Sequence, residues 1–314
     1  MNQVALHVDM DQAEMASMMG FSEAAAAPAD GPMFPRLKVM TEDIQGLTEI
    51  KGKTKKTVIV SAGAFALDVN GTVIYADSIE FRCFFQRFLI KRYDNELVTG
   101  RKDDAGKPRV GGYIHTTMTG KQWVDERIDD AGGINCGKPA GFIEDFKSLQ
   151  KDLQDLIKNC RTYRYMFGQV TLIDPVDAEG NDVTDMGSTP CMYELGPAAS
   201  KAIAPAFKTF LDDKVLPWSG VMSITNVPNV NGTVTYYTPE VGVKITGTVP
   251  SDADIALGVD FNAFITSWND RIKSKHHDLL TQKGKATPPA DDMDILEELG
   301  ADQFIDVSSD LDQK

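Results

Sequence analysis

The sequence predicts a mostly β body with about three inserted or flanking helices, held between two acidic tails. Three observations carry this. β-Branched and aromatic residues recur in short alternating runs separated by Asn-Gly and Gly/Asp-rich turns, whereas apolar residues take up the helical period in only three stretches. Charge is segregated to the ends: Asp291 to Lys314 hold nine acids against one base, and the first 35 residues hold five acids and no Lys or Arg. The tails thus carry −8 and −5 of the formal −14, and residues 36–290 are left with 31 bases against 32 acids.

The elements follow in order. Residues 1–34 hold Met10, Met15, Met18, Met19 and Phe21 before an alanine-rich run. That is too little apolar surface to bury alone, and the segment reads as a mobile acidic arm. The body spans 35–285. It opens with FPRLKVM and KTVIVSAGAFALDVNGTVIYA, where Asn70-Gly71 between two apolar runs marks a hairpin. Residues 79–93 are rich in β-formers and read as one long strand. Eight glycines between 99 and 140 predict an irregular insertion. Phe142, Phe146, Leu149, Leu153, Leu156 and Ile157 share one face of a helix over 141–158. Strands follow at 162–173 and 190–195, around a turn at 177–187. Pro197 suits the first position of a helix striped by Ile203, Phe207, Phe210 and Leu211, despite Pro205. GVMSITNV, a turn at Asn231-Gly232, TVTYYTPEV and GVKITGTV read as strands. Asp260 caps a last helix whose stripe is Phe261, Phe264, Ile265, Trp268 and Ile272. After a linker with Pro288 and Pro289, residues 286–314 form the second acidic tail.

Several function classes find no support. No run of 18 apolar residues predicts a membrane span, and no basic leader precedes an apolar stretch, so the expected location is the cytoplasm, that of a host if the chain is viral. Cys83, Cys136, Cys160 and Cys191 lie too far apart for a zinc knuckle, and adjacent His276 and His277 point about 100° apart on a helix. No metal and no cofactor are expected. P-loop, dinucleotide-binding, nucleophile-elbow and zincin motifs are missing, and Asp125, Glu126, Asp129 and Asp130 read as an exposed acidic turn rather than a Mg²⁺ site. A non-enzyme is the expectation.

The candidate chemistry is the binding of single-stranded nucleic acid, which needs cations along phosphates and flat rings under bases. FRCFFQRFLIKRY interleaves both. Period two puts Phe81, Phe85 and Leu89 on one face, for the core, and Arg82, Phe84, Phe88 and Arg92 on the other, for a ligand. The alternative is that both faces are buried and the bases snorkel outward. With Arg87 and Lys91, this strand supplies the central candidates. Lys51, Lys53, Lys55 and Lys56 precede it on a glycine-containing turn, and Arg161, Tyr163, Arg164 and Tyr165 repeat the base-and-ring alternation. Phe84, Phe88, Tyr163 or Tyr165 would stack bases. In the tail, Asp291, Asp292 and Asp294 with Ile295, Leu296, Leu299 and Phe304 describe a short amphipathic, acidic segment suited to a basic, apolar groove on a partner.

The order of PRLKV, CRTYRYMFGQVTL, PCMYELGPAASKAI and GVMSITNVPNVNGTVTYYTPEV ahead of an acidic tail resembles phage-encoded single-stranded DNA-binding proteins. The resemblance implies an OB-like β-barrel that protects single strands during replication or recombination, with the tail recruiting replication or recombination proteins. Two departures stand out: the zinc-ligand spacing of some phage relatives is missing, and the chain ends Leu311-Asp312-Gln313-Lys314 rather than in an apolar tip. A virion or assembly structural protein that binds no nucleic acid is the alternative. If the acidic tail competes with DNA for a basic groove, deleting residues 286–314 tightens binding to oligo(dT), as read by fluorescence titration; unchanged or weaker binding rules the competition out.

Overall fold

The computed structural model describes residues 33–50, 53–102, 106–124, 126–140, 143–183 and 186–282. The predicted arm up to residue 32 and the predicted tail lie outside them. The fold is mostly β, as expected, with three α-helices among the described residues. Eleven strands form there: β1 (Arg36–Val39), β2 (Ile44–Ile50), β3 (Lys53–Val60), β4 (Phe65–Val69), β5 (Thr72–Ala76), β6 (Ser78–Lys102), β7 (Pro108–His115), β8 (Cys160–Ile173), β9 (Thr189–Leu195), β10 (Gly220–Asn231) and β11 (Val234–Ile245). The helices are α1 (Lys151–Asn159), α2 (Pro197–Asp212) and α3 (Asp252–Gln282).

Nine strands make one mixed sheet in the order β11-β10-β6-β8-β9-β1-β4-β5, with β7 added to β6; β2 and β3 form a separate ribbon. The β1/β9 pair is parallel and its other neighbours antiparallel. The sheet is not closed into a barrel. It curls strongly, however. An isolated bridge joins Tyr75 of β5 to Val176 just beyond β8, and Asn226 Nδ2 of β10 donates to Gly63 O ahead of β4 at 2.8 Å.

The two Asn-Gly hairpins form where the sequence puts them. Asn70 and Gly71 both take left-handed backbone angles (φ 54° and 86°), as a primed two-residue turn requires. Asp68 Oδ1 accepts from Gly71 N at 2.9 Å. The long strand also forms, extended to 25 residues. The glycine-rich insertion is more regular than expected. Within it β7 pairs back on β6, and residues 126–137 fold into a compact loop around buried Asp129, whose carboxylate accepts from the amides of Ala131, Gly133 and Cys136. Asp129 is thus a structural anchor of that loop and not part of an exposed acidic turn.

Two helices start later or earlier than their apolar stripes suggest, one because a capped 3₁₀ turn takes up its first residues and the other because its own cap lies further upstream. Asp145 Oδ1 accepts from Lys147 N and Ser148 N, which holds Phe146–Ser148 in a 3₁₀ turn. Leu149 is extended, and α1 begins only at Lys151. At α3, Ser251 and Asp254 form a reciprocal capping box: Ser251 N donates to Asp254 Oδ2 (2.9 Å) and Asp254 N to Ser251 Oγ (3.2 Å). The helix therefore starts two turns before Asp260, which lies exposed within it rather than capping it. α2 begins with Pro197 at its first turn and tolerates Pro205 on its exposed side.

The central pair β6/β8 is covered on both faces. One face packs Phe81, Cys83, Met166 and Val170 against Ile203, Phe207 and Phe210 of α2. The other packs Phe84, Phe85, Leu89, Tyr165 and Phe167 against Phe261 and Ile265 of α3. Each of these buried large side chains contributes roughly 1.5–3 kcal/mol. Strict alternation fails because Cys83 pairs with Gly168 and Phe85 with Phe167, leaving Phe84 as an extra residue on β6. That bulge exchanges the faces of all following residues. Gly168 lets the strands meet there: a Cβ would strike Arg82 O and stand 2.8 Å from Phe81 Cε1. Gly168→Ala should therefore cost about 3 kcal/mol, the upper end for overpacking, read as a shift in denaturation midpoint at unchanged m-value.

Candidate functional site

The two-sided burial removes most of the rings expected to stack bases. Phe84 (2 % exposed), Phe88 (1 %) and Tyr165 (2 %) are sealed in the interior. Several expected phosphate ligands are committed as well. Arg82 donates to Asp254 Oδ1 (2.9 Å) and Trp218 O (2.8 Å), tying β6 to α3. Arg164 is buried between the rings of Phe88 and Phe207, each centroid 5.0 Å away, with Ser200 Oγ and Gln86 Oε1 as acceptors. Arg87 lies over Phe85 and donates to Gln86 O. Loss of hydration brings the pKa of both Arg87 and Arg164 down to about 10, which leaves them charged at neutral pH. Arg92 pairs with Asp94 at 3.1 Å. These residues are corrected from ligand contacts to framework.

The lysine-rich turn does not join them. Lys53, Lys55 and Lys56 belong to β3 in the separate ribbon, where Lys56 is exposed; Lys51 lies outside the described residues. The tail candidates Asp291, Asp292, Asp294, Ile295, Leu296, Leu299 and Phe304 also lie outside them.

What does assemble is a different patch, on the α3 face beyond the end of the covered region. The bulge turns Lys91 and Tyr93 of β6 to this face. Register then sets His115 beside Lys91, Arg161 on its other side, and Tyr113 beside Tyr93. Tyr93 (47 % exposed) and Tyr113 (52 %) meet edge to face, with centroids 5.1 Å apart. The row continues from Tyr113 to His115 (6.2 Å) and from His115 to Trp268 of α3 (5.8 Å). Half-buried Tyr163 of β8 completes the patch, with Lys91 Nζ 4.5 Å from its ring centre. Arg271 stacks over Trp268 at 4.6 Å. Among the described residues, Lys38, Arg161 and Arg271 make no ion pair, so their charge is open to a polyanion; Arg36 makes no close ion pair either, but shares the Glu194 carboxylate at longer range.

α3 is clamped where it borders this patch. Asn269 brackets Met118, accepting from its N (2.7 Å) and donating to its O (3.0 Å), and Trp268 Nε1 donates to Thr116 O. Fixed rings lose little entropy on stacking a ligand. Tyr93 stood in the sequence motif, but Tyr113, His115 and Trp268 were missed. The signal for Tyr113 was the alternation in PRVGGYIH, hidden by its two glycines.

Three carboxylates hold the arrangement. Glu194 accepts from Lys91 Nζ (2.5 Å) and Tyr165 OH (2.6 Å). Burial opposes its charge, yet Lys91 and Tyr165 outweigh it and keep the carboxyl below its usual range. At Lys91 burial prevails, lowering the ammonium pKa. Asp130 is likewise opposed by burial and held low by His115 and Lys275, and Asp254 by Ser251 and Arg82.

The chain matches no protein-family model, no curated protein and no solved structure.

Because the folded-state pKa of Glu194, Asp130 and Asp254 lies below the ordinary values of 4.5 and 3.8, their contribution to stability is complete above those values and lost as pH falls through the folded ones. The melting temperature should be level from about pH 7 to 5 and fall below about pH 4, and Asp254→Asn should flatten part of that fall. Melts followed by circular dichroism between pH 7 and 2.5 check this; a flat profile contradicts it.

Proposed function

We propose that this protein binds single-stranded DNA without sequence preference and protects it during replication or recombination. One observation carries the reading: a row of rings, exposed at Tyr93 and Tyr113 and continued by half-buried His115 and Trp268, lies beside the unpaired cations Arg161 and Arg271 on a rigid sheet face. Rings of this kind stack any base, and cations of this kind follow a phosphate backbone without reading sequence. The nearly neutral body, against acidic ends, supports an anion-binding face on the body itself. The proposal keeps the expected ligand and replaces most of the expected residues. Tyr163, Lys91 and Arg161 remain; Phe84, Phe88 and Tyr165 leave the site.

An OB-like body is part of the same proposal. Support comes from the run β8-β9-β1-β4-β5, whose last strand returns by the Tyr75–Val176 bridge to the end of the first, as in a partly open five-stranded barrel. Recruitment of replication or recombination proteins through the acidic tail is also proposed, on the tail's composition.

The test is retention of the full chain on single-stranded DNA cellulose at about 50 mM salt, with release at high salt. Replacing both Tyr93 and Tyr113 by Ala should weaken oligo(dT) binding at least tenfold, since each stacked ring is worth about 1–3 kcal/mol. No retention at low salt refutes the proposal and leaves the virion or assembly protein in its place.

A further inference from the structure

A cleft of about 420 Å³ opens next to the ring row, within the ~300–1,000 Å³ range of ligand sites. β1 forms one wall. Leu37 is buried, so alternation along the strand sends Arg36 and Lys38 together to the exposed side. Neither has an ion-pair partner among the described residues. Tyr163 of β8 and Tyr237 of β11 supply rings to the same cleft, and Gly196 brings the start of α2 to its edge. That helix has no side-chain cap; Pro197 has no N–H and Ser200 N donates to Gly196 O, so Ala199 N is the free donor the helix start brings to the lining. Glu194 is the one acid in the lining, and its carboxylate is occupied by Lys91 Nζ and Tyr165 OH. The cleft therefore offers two exposed cations and two rings against one acid, whose charge Lys91, Tyr165 and, at longer range, Arg36 offset. Tyr163 lines this cleft and lies under Lys91, whose register neighbour His115 belongs to the ring row, so the cleft and the row are linked through Lys91.

We propose that the cleft seats one nucleotide of the bound strand, its phosphate between Arg36 and Lys38 and its base against Tyr163 and Tyr237. The combination selects this ligand class: the cations alone would take any anion, and the rings alone any flat apolar group, but a nucleotide uses both. The proposal rests on the reading of the protein as a single-strand binder.

The experiment titrates oligo(dT) at two salt concentrations into the full chain, an Arg36→Ala/Lys38→Ala variant and the Tyr93→Ala/Tyr113→Ala variant. Arg36 and Lys38 are exposed, so their double variant should melt like the parent. Its affinity should fall about tenfold or more, and the slope of log affinity against log salt should become shallower by about 0.7, the loss of one neutralised phosphate on a single strand. Tyr163→Phe should bind as the parent does and Tyr163→Leu about tenfold more weakly. If the Tyr93/Tyr113 variant is weakened while the Arg36/Lys38 variant keeps parental affinity and slope, the cleft proposal is overturned and the single-strand reading stands. If the full chain does not bind oligo(dT) at all, both fall.

Discussion

One extra residue in β6 governs this structure. Up to Cys83, odd-numbered residues of β6 face α2; from Phe85 onward they face α3, because Phe84 has no counterpart on β8. The strand can therefore give aromatic side chains to two cores in succession while its neighbour β8 alternates regularly between them. Gly168 is the matching concession on β8, since only a residue without Cβ lets the strands meet at that point. The same parity change reaches beyond the cores. It sets Lys91 and Tyr93 on the α3 face, in line with Tyr163 of β8 and with Tyr113 and His115 of β7. An unbulged strand would turn Lys91 and Tyr93, and with them their β7 partners His115 and Tyr113, to the face opposite Tyr163 and Trp268.

This also explains what could and could not be read from the sequence. The hairpins at Asn70-Gly71 and Asn231-Gly232, the long strand after Ser78 and the stripes of α2 and α3 are local signals, set by turn chemistry and period, and they hold. The choice of exposed rings is not local. FRCFFQRFLIKRY was divided into faces by an unbroken period of two, and a bulge has no composition of its own when its residue is another phenylalanine. Burial of both faces further depends on α3, which is more than 150 residues away in sequence and packs against Phe84 and Phe85. Tyr113 was lost to a general inference that glycines mean loops, although Gly112 and Gly111 sit within a paired strand. The capping box at Ser251 and Asp254 was legible and overlooked, and with it two turns of α3.

The cations divide by whether water or protein solvates them. Arg82 and Arg164 have exchanged water for carboxylate, carbonyl, hydroxyl and ring partners, an exchange the planar guanidinium makes more readily than an ammonium. Removing either would leave polar partners without their donor, so they are better understood as fasteners between sheet and helices than as ligand contacts. Arg36, Lys38, Arg161 and Arg271 are exposed and form no close ion pair among the described residues, although Arg36 lies within the field of Glu194, and they all border the exposed rings or the adjoining cleft. Position relative to the helices, rather than residue type, decides which group a cation joins.

Lys91 sits at the junction of the two groups. Its ammonium is gripped by Glu194 and lies over both Tyr163 and Tyr165, one ring half-buried and one sealed. A charge so placed adds little free potential for a phosphate, because Glu194 cancels it at close range. It does fix the Tyr163 ring, and Tyr163 is the cleft ring nearest the row. The contribution of Lys91 is therefore orientation: the buried ion pair holds a surface ring in one posture, and a ring already held in place gives up less freedom when a base stacks on it.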